Sequence, residues 1–328
     1  MHYTAGTGDC ANQEYFKTFR ETDRFMKTKK LYRFSRFFNA CATVSILIIL
    51  GGITGFFIKG INFGLEFKPG MMELVSIRAE KPLKADDVRN ALAEVKGAEV
   101  KATGGGTQGE QFFQIKTALS NDAENAGNSD AIMRGLYTAY GMENVSKIST
   151  DFIGAQFSAS LIKNTVLLVS GALVLIWLYA LIRFRWDYAL GAIIALLHDT
   201  FIILTFIVWT GMELTTTTIA AILTIIGYSI NATVVILDRL RENIHKFPEE
   251  NFILILDKSL SETLSRSVIT TVTTMFASIS LFVFTTGSIH DFAGALNVGL
   301  VSGCYSSIFI SSGFIAFVYK MRQKQLSA

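Results

Sequence analysis

The chain has 328 residues, half of them apolar and 17% charged, with a formal net charge of +3. That balance excludes an ordinary soluble domain and points to a membrane protein. A nucleic-acid partner is also excluded, because the few extra Lys and Arg residues sit beside apolar runs and form no basic patch on a soluble fold.

Residues 1–40 form a basic extension that includes Lys17, Arg20, Arg24, Lys27, Lys29, Lys30, Arg33 and Arg36. Contact with anionic membrane lipid is its plain expectation. The first apolar run comes too late for a cleavable signal peptide. Six apolar runs suit a bilayer, which takes about 20 helical residues: 41–58, 165–182, 188–209, 215–237, 267–286 and 292–319. The last is overlong and predicts a protruding end or a tilted helix.

Between the first two runs, residues 59–158 form the one sizeable polar block. MMELVSI (71–77), AEVKATG (98–104), EQFFQIKTAL (110–119) and NVSKISTDF (144–152) read as strands, with a GGG turn at 104–106. ADDVRNALAEV (85–95) and SDAIMRGLYTAY (129–140) read as helices. The order β-α-β-β-α-β predicts a ferredoxin-like α+β domain. A block of about 100 residues can bury its own small core.

Charge sets the orientation. Arg183 and Arg185 lie between runs two and three, Arg239, Arg241, Lys246 and Lys258 between four and five, and Lys320, Arg322 and Lys324 in the tail. The opposite short loops, 210–214 and 287–291, hold no Lys or Arg. The basic side is cytoplasmic, which puts both termini inside and 59–158 outside. The predicted architecture is thus a cytoplasmic extension 1–40, a first span 41–58, an outer domain 59–158, a five-span bundle 159–319 and a cytoplasmic tail 320–328.

Cys10, Cys41 and Cys304 make no CxxC pair, and His2, His198, His245 and His290 are dispersed, so neither a disulfide nor a metal site is expected. No nucleophile with a base at helical spacing suggests an enzyme. Chemistry is expected instead from polar groups at membrane depth. His198 and Asp199 fall near the middle of the third run, where an ionisable group is costly and marks function by default. Adjacent helical residues point about 100° apart, so at least one of them faces a partner helix or water. A structural polar clamp and a proton-titrating site are both open readings.

The fourth run carries Gly227, Tyr228, Ser229 and Asn231. Tyr228 and Asn231 share a helix face, as do Ser229, Ala232 and Thr233, and small or hydrogen-bonding residues of this kind let membrane helices approach closely. Asp238, Arg239, Arg241 and Glu242 end that run as anchors and local ion pairs. The fifth opens with a ladder of hydroxyls around Arg266, which suits a helix facing other helices or a wet cleft. GLVSGCYSS (299–307) in the sixth is a further close-packing series.

In order and spacing, AAILTIIGYSINATVVILDRLREN, ALLHDTFI, SLSETLSRSVITTVTT and GLVSGCYSSIFI resemble the SecF family of the bacterial protein-export machinery. INFGLEFKPGMMELV looks like that family's GIDF-x-GG segment, with Glu66 in place of its Asp and Pro69 breaking its glycine pair. The resemblance covers roughly residues 40 to 319. It implies a member of the proton-driven resistance-nodulation-division superfamily, multi-pass in the bacterial cytoplasmic membrane, with no prosthetic group. It implies SecD as the pseudo-symmetric mate, the SecYEG channel, SecA and YajC as further partners in the holo-translocon, and preproteins as substrate. The proton-motive force would complete export after SecA-driven translocation.

The family's fourth span reads GYS-x-N-D, with the acid held to lie on the proton path; here that position is Ala232, which cannot titrate. The family's arginine is present as Arg266, and its His-Asp pair as His198 and Asp199. Three accounts follow: SecD supplies the carboxylate with Arg266 as counter-charge, Asp199 has taken over, or coupling through this chain is lost. Other classes of function are a proton-driven exporter of lipid or small molecules, for which 59–158 looks too small and too polar, and a non-coupling scaffold of the channel.

Overall fold

The computed structural model describes residues 31–79, 81–93, 95, 97–105, 109–118 and 122–326. The basic extension as far as residue 30, with Cys10 and His2, lies outside the described residues, as does part of the glycine turn at 104–106.

In chain order, helix α1 (Phe38–Lys59) is followed by β1 (Gly70–Arg78), α2 (Ala85–Ala91), β2 (Glu99–Gly105), β3 (Glu110–Ala118), α3 (Asp122–Tyr140) and β4 (Val145–Ile153). Then come α4 (Ala155–Arg183), α5 (Trp186–Thr210), α6 (Thr216–Lys246), α7 (Phe252–Phe284), α8 (Ser288–Ser306), a π-helical stretch Ser307–Ser311, and α9 (Ser312–Leu326). Among the described residues six helical segments are long and apolar enough to cross a membrane: α1, α4, α5, α6, α7 and the continuous α8–α9 rod. Helices bond their own backbone groups, the condition for crossing hydrocarbon.

Each predicted run overlaps one of these helices, but the helices are longer. α4 begins ten residues before the run at 165, and α7 fifteen before the run at 267. Helix continues wherever polar turns find partners beyond the apolar stretch. On the arginine-rich side, Arg239 of α6 reaches Glu262 of α7 at 2.5 Å, and Asn243 donates to Ser259 and Glu262 at 2.9 Å. The overlong last run lies in a helical segment longer still, whose end at residues 320–325 is exposed and whose middle holds the π-helical stretch, a wide turn of the kind found beside functional sites.

The strands form one antiparallel sheet in the order β2-β3-β1-β4. Period-two alternation buries Met71, Glu73, Val75 and Ile77 on one face of β1, opposite Phe113 and Ile115 of β3 and beneath Val88, Ile132 and Leu136 of α2 and α3. Glu73 is the exception in this apolar layer. It is fully buried, paired to Lys147 at 3.1 Å and bonded to Ser129.

The sheet is tied to the bundle. Lys116 pairs with Glu213 in the α5–α6 loop, and Lys101 lies 3.2 Å from Asp291 at the start of α8. Gly64 donates to the Leu214 carbonyl at 2.9 Å, and Leu214 donates back to Asn62 at 2.8 Å. A Cβ on Gly64 would stand 2.7 Å from Thr215, so only glycine permits this approach. Glu66 then accepts from the Thr216 amide at 2.6 Å, placing a carboxylate at the positive end of α6.

Candidate functional site: a buried carboxylate in the bundle

The centre of the bundle is held by glycines. A Cβ on Gly299 would fall 2.4 Å from Ile225, and one on Gly303 would meet Ser229 at 3.2 Å. Their absence of side chain lets α8 press against α6. On the third side, a Cβ on Gly191 of α5 would stand 3.1 Å from the Ser311 carbonyl of the π-helical stretch. The approach of α5, α6 and α8 closes a space in which Asp199 is completely buried.

All four of its neighbours there can donate. Oδ1 accepts from Ser302 at 2.6 Å and lies 3.1 Å from His198 Nδ1. Oδ2 accepts from Ser229 at 2.6 Å and from Ser306 at 2.7 Å. An ionised carboxylate has about four acceptor positions, and these contacts fill them. No Lys or Arg within pairing distance balances the charge among the described residues; the one ion-pair partner is His198, which is charged only when protonated.

His198 carries the network outward. Its Nε2 lies 3.0 Å from Ser45 Oγ of α1, and Ser45 lies 3.0 Å from the hydroxyl of Tyr305. Tyr305 in turn donates to the carbonyl of Cys41 at 2.8 Å. Each hydroxyl has a single hydrogen, so a chain with every contact bonded has one direction, and reversing it gives up the bond to Cys41. When Tyr305 donates to Cys41, Ser45 donates to Tyr305 and His198 donates from Nε2. The Nδ1–Oδ1 contact then needs one further proton, shared as imidazolium with carboxylate or imidazole with carboxylic acid. When Tyr305 donates to Ser45 instead, Ser45 donates to Nε2 and the neutral imidazole donates from Nδ1 to a carboxylate. The two directions differ by one proton at the pair and by the bond to Cys41.

Two cavities reach this chain from either side of α1. One, of about 450 Å³, is lined by Phe38, Ser45, His198, Phe201 and Phe309. The other, of about 530 Å³, is lined by Ser45, His198, Asn297, Ser302 and Tyr305. Ser45 and His198 belong to both. The Asn297 amide oxygen is buried without a hydrogen-bond partner.

Of the residues predicted for an intramembrane path, His198, Asp199 and Ser229 come together. Tyr228 does not: its hydroxyl is buried without a hydrogen-bond partner, and the residue packs against the apolar cluster of α5, α6 and α8. Asn231 is exposed on another face of α6, and Ala232 is half-buried. Arg266 is exposed and lines a cavity of about 370 Å³ with Asp238, Arg239, Glu242 and Glu262, with no bond to Asp199. The anchors predicted at the end of the fourth run pair locally: Asp238 with Arg183 at 2.7 Å, and Arg239 with Glu242 at 2.6 Å. Arg241 is exposed.

Sequence reasoning missed Ser45, Ser302, Tyr305 and Ser306. Ser302 and Ser306 were read only as small residues for packing, although their spacing of four puts both on the Asp199 face of α8. Among the described residues, no group of three His, Cys, Asp or Glu is placed to hold a metal ion.

The family described as "Protein export membrane protein SecD/SecF, C-terminal" matches residues 134–321. Protein translocase subunit SecF of Treponema pallidum is 43% identical over 256 residues, covering 71% of this chain and 60% of that relative. The SecF subunit of Borreliella burgdorferi is 33% identical over 297 residues, covering 89% of this chain and 99% of that relative. Among solved structures, SecDF from Thermus thermophilus, titled a translocon-associated membrane protein, superposes with a TM-score of 0.77 at 28% identity over 89% of this chain. This chain spans 39% of that SecDF chain.

Proposed function

The chain belongs to the SecF family of protein-export membrane proteins, and from that premise we propose that it is the SecF-type half of a proton-driven translocase whose own titrating group is Asp199. Its mate is a SecD chain, its channel is SecYEG, and its work is the gradient-driven completion of preprotein export after SecA. The arginine-rich ends of the spans face the cytoplasm of a bacterial inner membrane. The antiparallel sheet is a ferredoxin-like module on the outer side, its two helices packed on one face.

One observation carries the proton assignment: the His198–Asp199 pair is buried, no Lys or Arg among the described residues pairs with it, and hydroxyls of Ser45 and Tyr305 lead away from it. Ser229 on α6 and Ser302 and Ser306 on α8 hold the carboxylate, so neutralising it weakens the bonds that gather three spans. Loading and unloading a proton thereby alters packing at the bundle centre. That centre connects to the outer sheet through α6, whose first turn is bonded to Glu66 and whose preceding loop pairs with Lys116.

A second reading has the carboxylate supplied by SecD. The exposed Thr224, Gly227 and Asn231 on one stripe of α6 favour it, because hydroxyl and amide groups facing outward at membrane depth suit a partner helix. Preprotein release from vesicles containing this chain, SecD and the channel, with and without a proton-motive force, separates the two. Loss of gradient stimulation in Asp199→Asn supports the first reading. Stimulation that survives in that variant assigns the proton to SecD, and a wild type indifferent to the gradient refutes both.

A further inference from the structure

A separate polar cavity of about 380 Å³ lies at the arginine-rich end of the bundle and shares no lining residue with the Asp199 network. Arg183 ends α4, Arg185 caps the start of α5, Tyr188 stands in the first turn of α5, and Arg241 and His245 are one turn apart on α6. Three spans therefore converge their cations on one space.

The charges do not cancel. Arg183 pairs with Asp238 at 2.7 Å, and Arg185 with Asp187 at 3.2 Å, where Arg322 also approaches to 3.8 Å. Arg241 is exposed and has no ion-pair partner among the described residues. Its carbonyl lies 2.7 Å from His245 Nδ1, so that nitrogen donates and Nε2 is not committed to the backbone. The cavity lining holds three guanidiniums and no carboxylate; Asp238 and Asp187, which pair with two of them, lie outside the lining, and Arg241 stays unbalanced. The amino end of α5 adds further positive charge.

The other half of the wall is apolar. Ile182, which is 81% exposed, leads from the cavity onto the outer surface of α4, where Leu178 and Tyr179 are also exposed. A free phosphate would use the cations and leave this wall idle. A phosphodiester carrying acyl chains fits both halves, and basic pockets between spans are a recurrent form of headgroup site.

We propose that this cavity binds the headgroup of an anionic phospholipid. Arg241 is the first phosphate contact, Arg183 and Arg185 share their guanidiniums between carboxylate and phosphate, and the acyl chains run along Ile182 and Leu178. Bound lipid would brace α4, the span with least support from the rest of the chain.

The test is native mass spectrometry of the full chain, delipidated in mild detergent and titrated with phosphatidylglycerol, phosphatidylcholine or inorganic phosphate. One saturable phosphatidylglycerol is expected, weakened about tenfold in Arg241→Gln, the loss of one charge-assisted contact. Lys320→Gln removes a charge of the same membrane face outside the cavity and should leave binding within about twofold. Equal losses in both variants would reduce the site to diffuse surface charge and overturn the proposal. So would phosphatidylcholine binding as tightly, or inorganic phosphate displacing the lipid at equal concentration.

Discussion

Among the described residues two carboxylates are completely buried, Asp199 in the bundle and Glu73 in the sheet, and they are kept in opposite ways. Glu73 has a permanent cation, Lys147, but its second oxygen has no hydrogen-bond partner. Asp199 has both oxygens filled by hydroxyls and an imidazole, and no permanent cation. A buried charge that is paired but incompletely bonded is fixed in place, because removing its partner strands it. A buried charge that is bonded but unpaired is held by its donors alone, and a proton on it weakens those bonds. The second arrangement suits a group whose change of charge is felt by the helices that hold it.

The comparison is broken or sharpened by substitution. The largest effect is expected from Asp199→Asn, which keeps shape and most bonds but cannot load a proton: gradient-driven release should fall to the gradient-free rate. Glu73→Gln should leave the gradient stimulation intact. Lys147→Met strands Glu73; because the lysine is 38% exposed, the loss should be about 2 kcal/mol, below that of a fully enclosed pair. Hydrogen exchange of the β1 amides reads it directly, and unchanged protection would mean that Glu73 does not depend on its cation.

Next comes the packing that builds the Asp199 space. Gly299→Ala drives a methyl to within 2.4 Å of Ile225 and should cost about 1–2 kcal/mol in resistance to denaturant. Ser302→Ala removes one of four donors and should cost about 1 kcal/mol while shifting, not abolishing, the gradient response. Smallest is Glu66→Gln, which keeps the bond to the Thr216 amide but removes the charge at the start of α6, a loss of about 0.5 kcal/mol visible as faster exchange in the first turn.

How much of this was legible beforehand follows from what each environment imposes. Lipid demands a length and a composition, so the six spans could be read from the chain, and an ionisable pair at membrane depth betrayed itself as His198 and Asp199. The ends of α6 and α7 were not legible, because they depend on polar partners such as Arg239 and Glu262 that meet only in space. The serines around Asp199 were hidden for a related reason. A helical hydroxyl can bond its own backbone, as Thr200 does to Leu196 and Thr271 to Ser267, so its presence in a span says nothing of what it faces. Asn231 stands two residues, about 200°, from Ser229, which puts it on the far side of α6 from Asp199, a separation that the motif read as a string does not show. Glu73 sat in plain view in MMELVSI, and the alternation that identified the strand also placed its carboxylate in the core.

The central claim is that Asp199 takes up a proton in place. Infrared difference spectra of the full chain in lipid, recorded between acidic and neutral pH for the wild type and Asp199→Asn, test it most directly. A protonated-carboxyl band that appears on acidification and is missing from the variant is the predicted result. Spectra that are identical in wild type and variant across the titration would mean that Asp199 keeps one protonation state throughout and contradict the account.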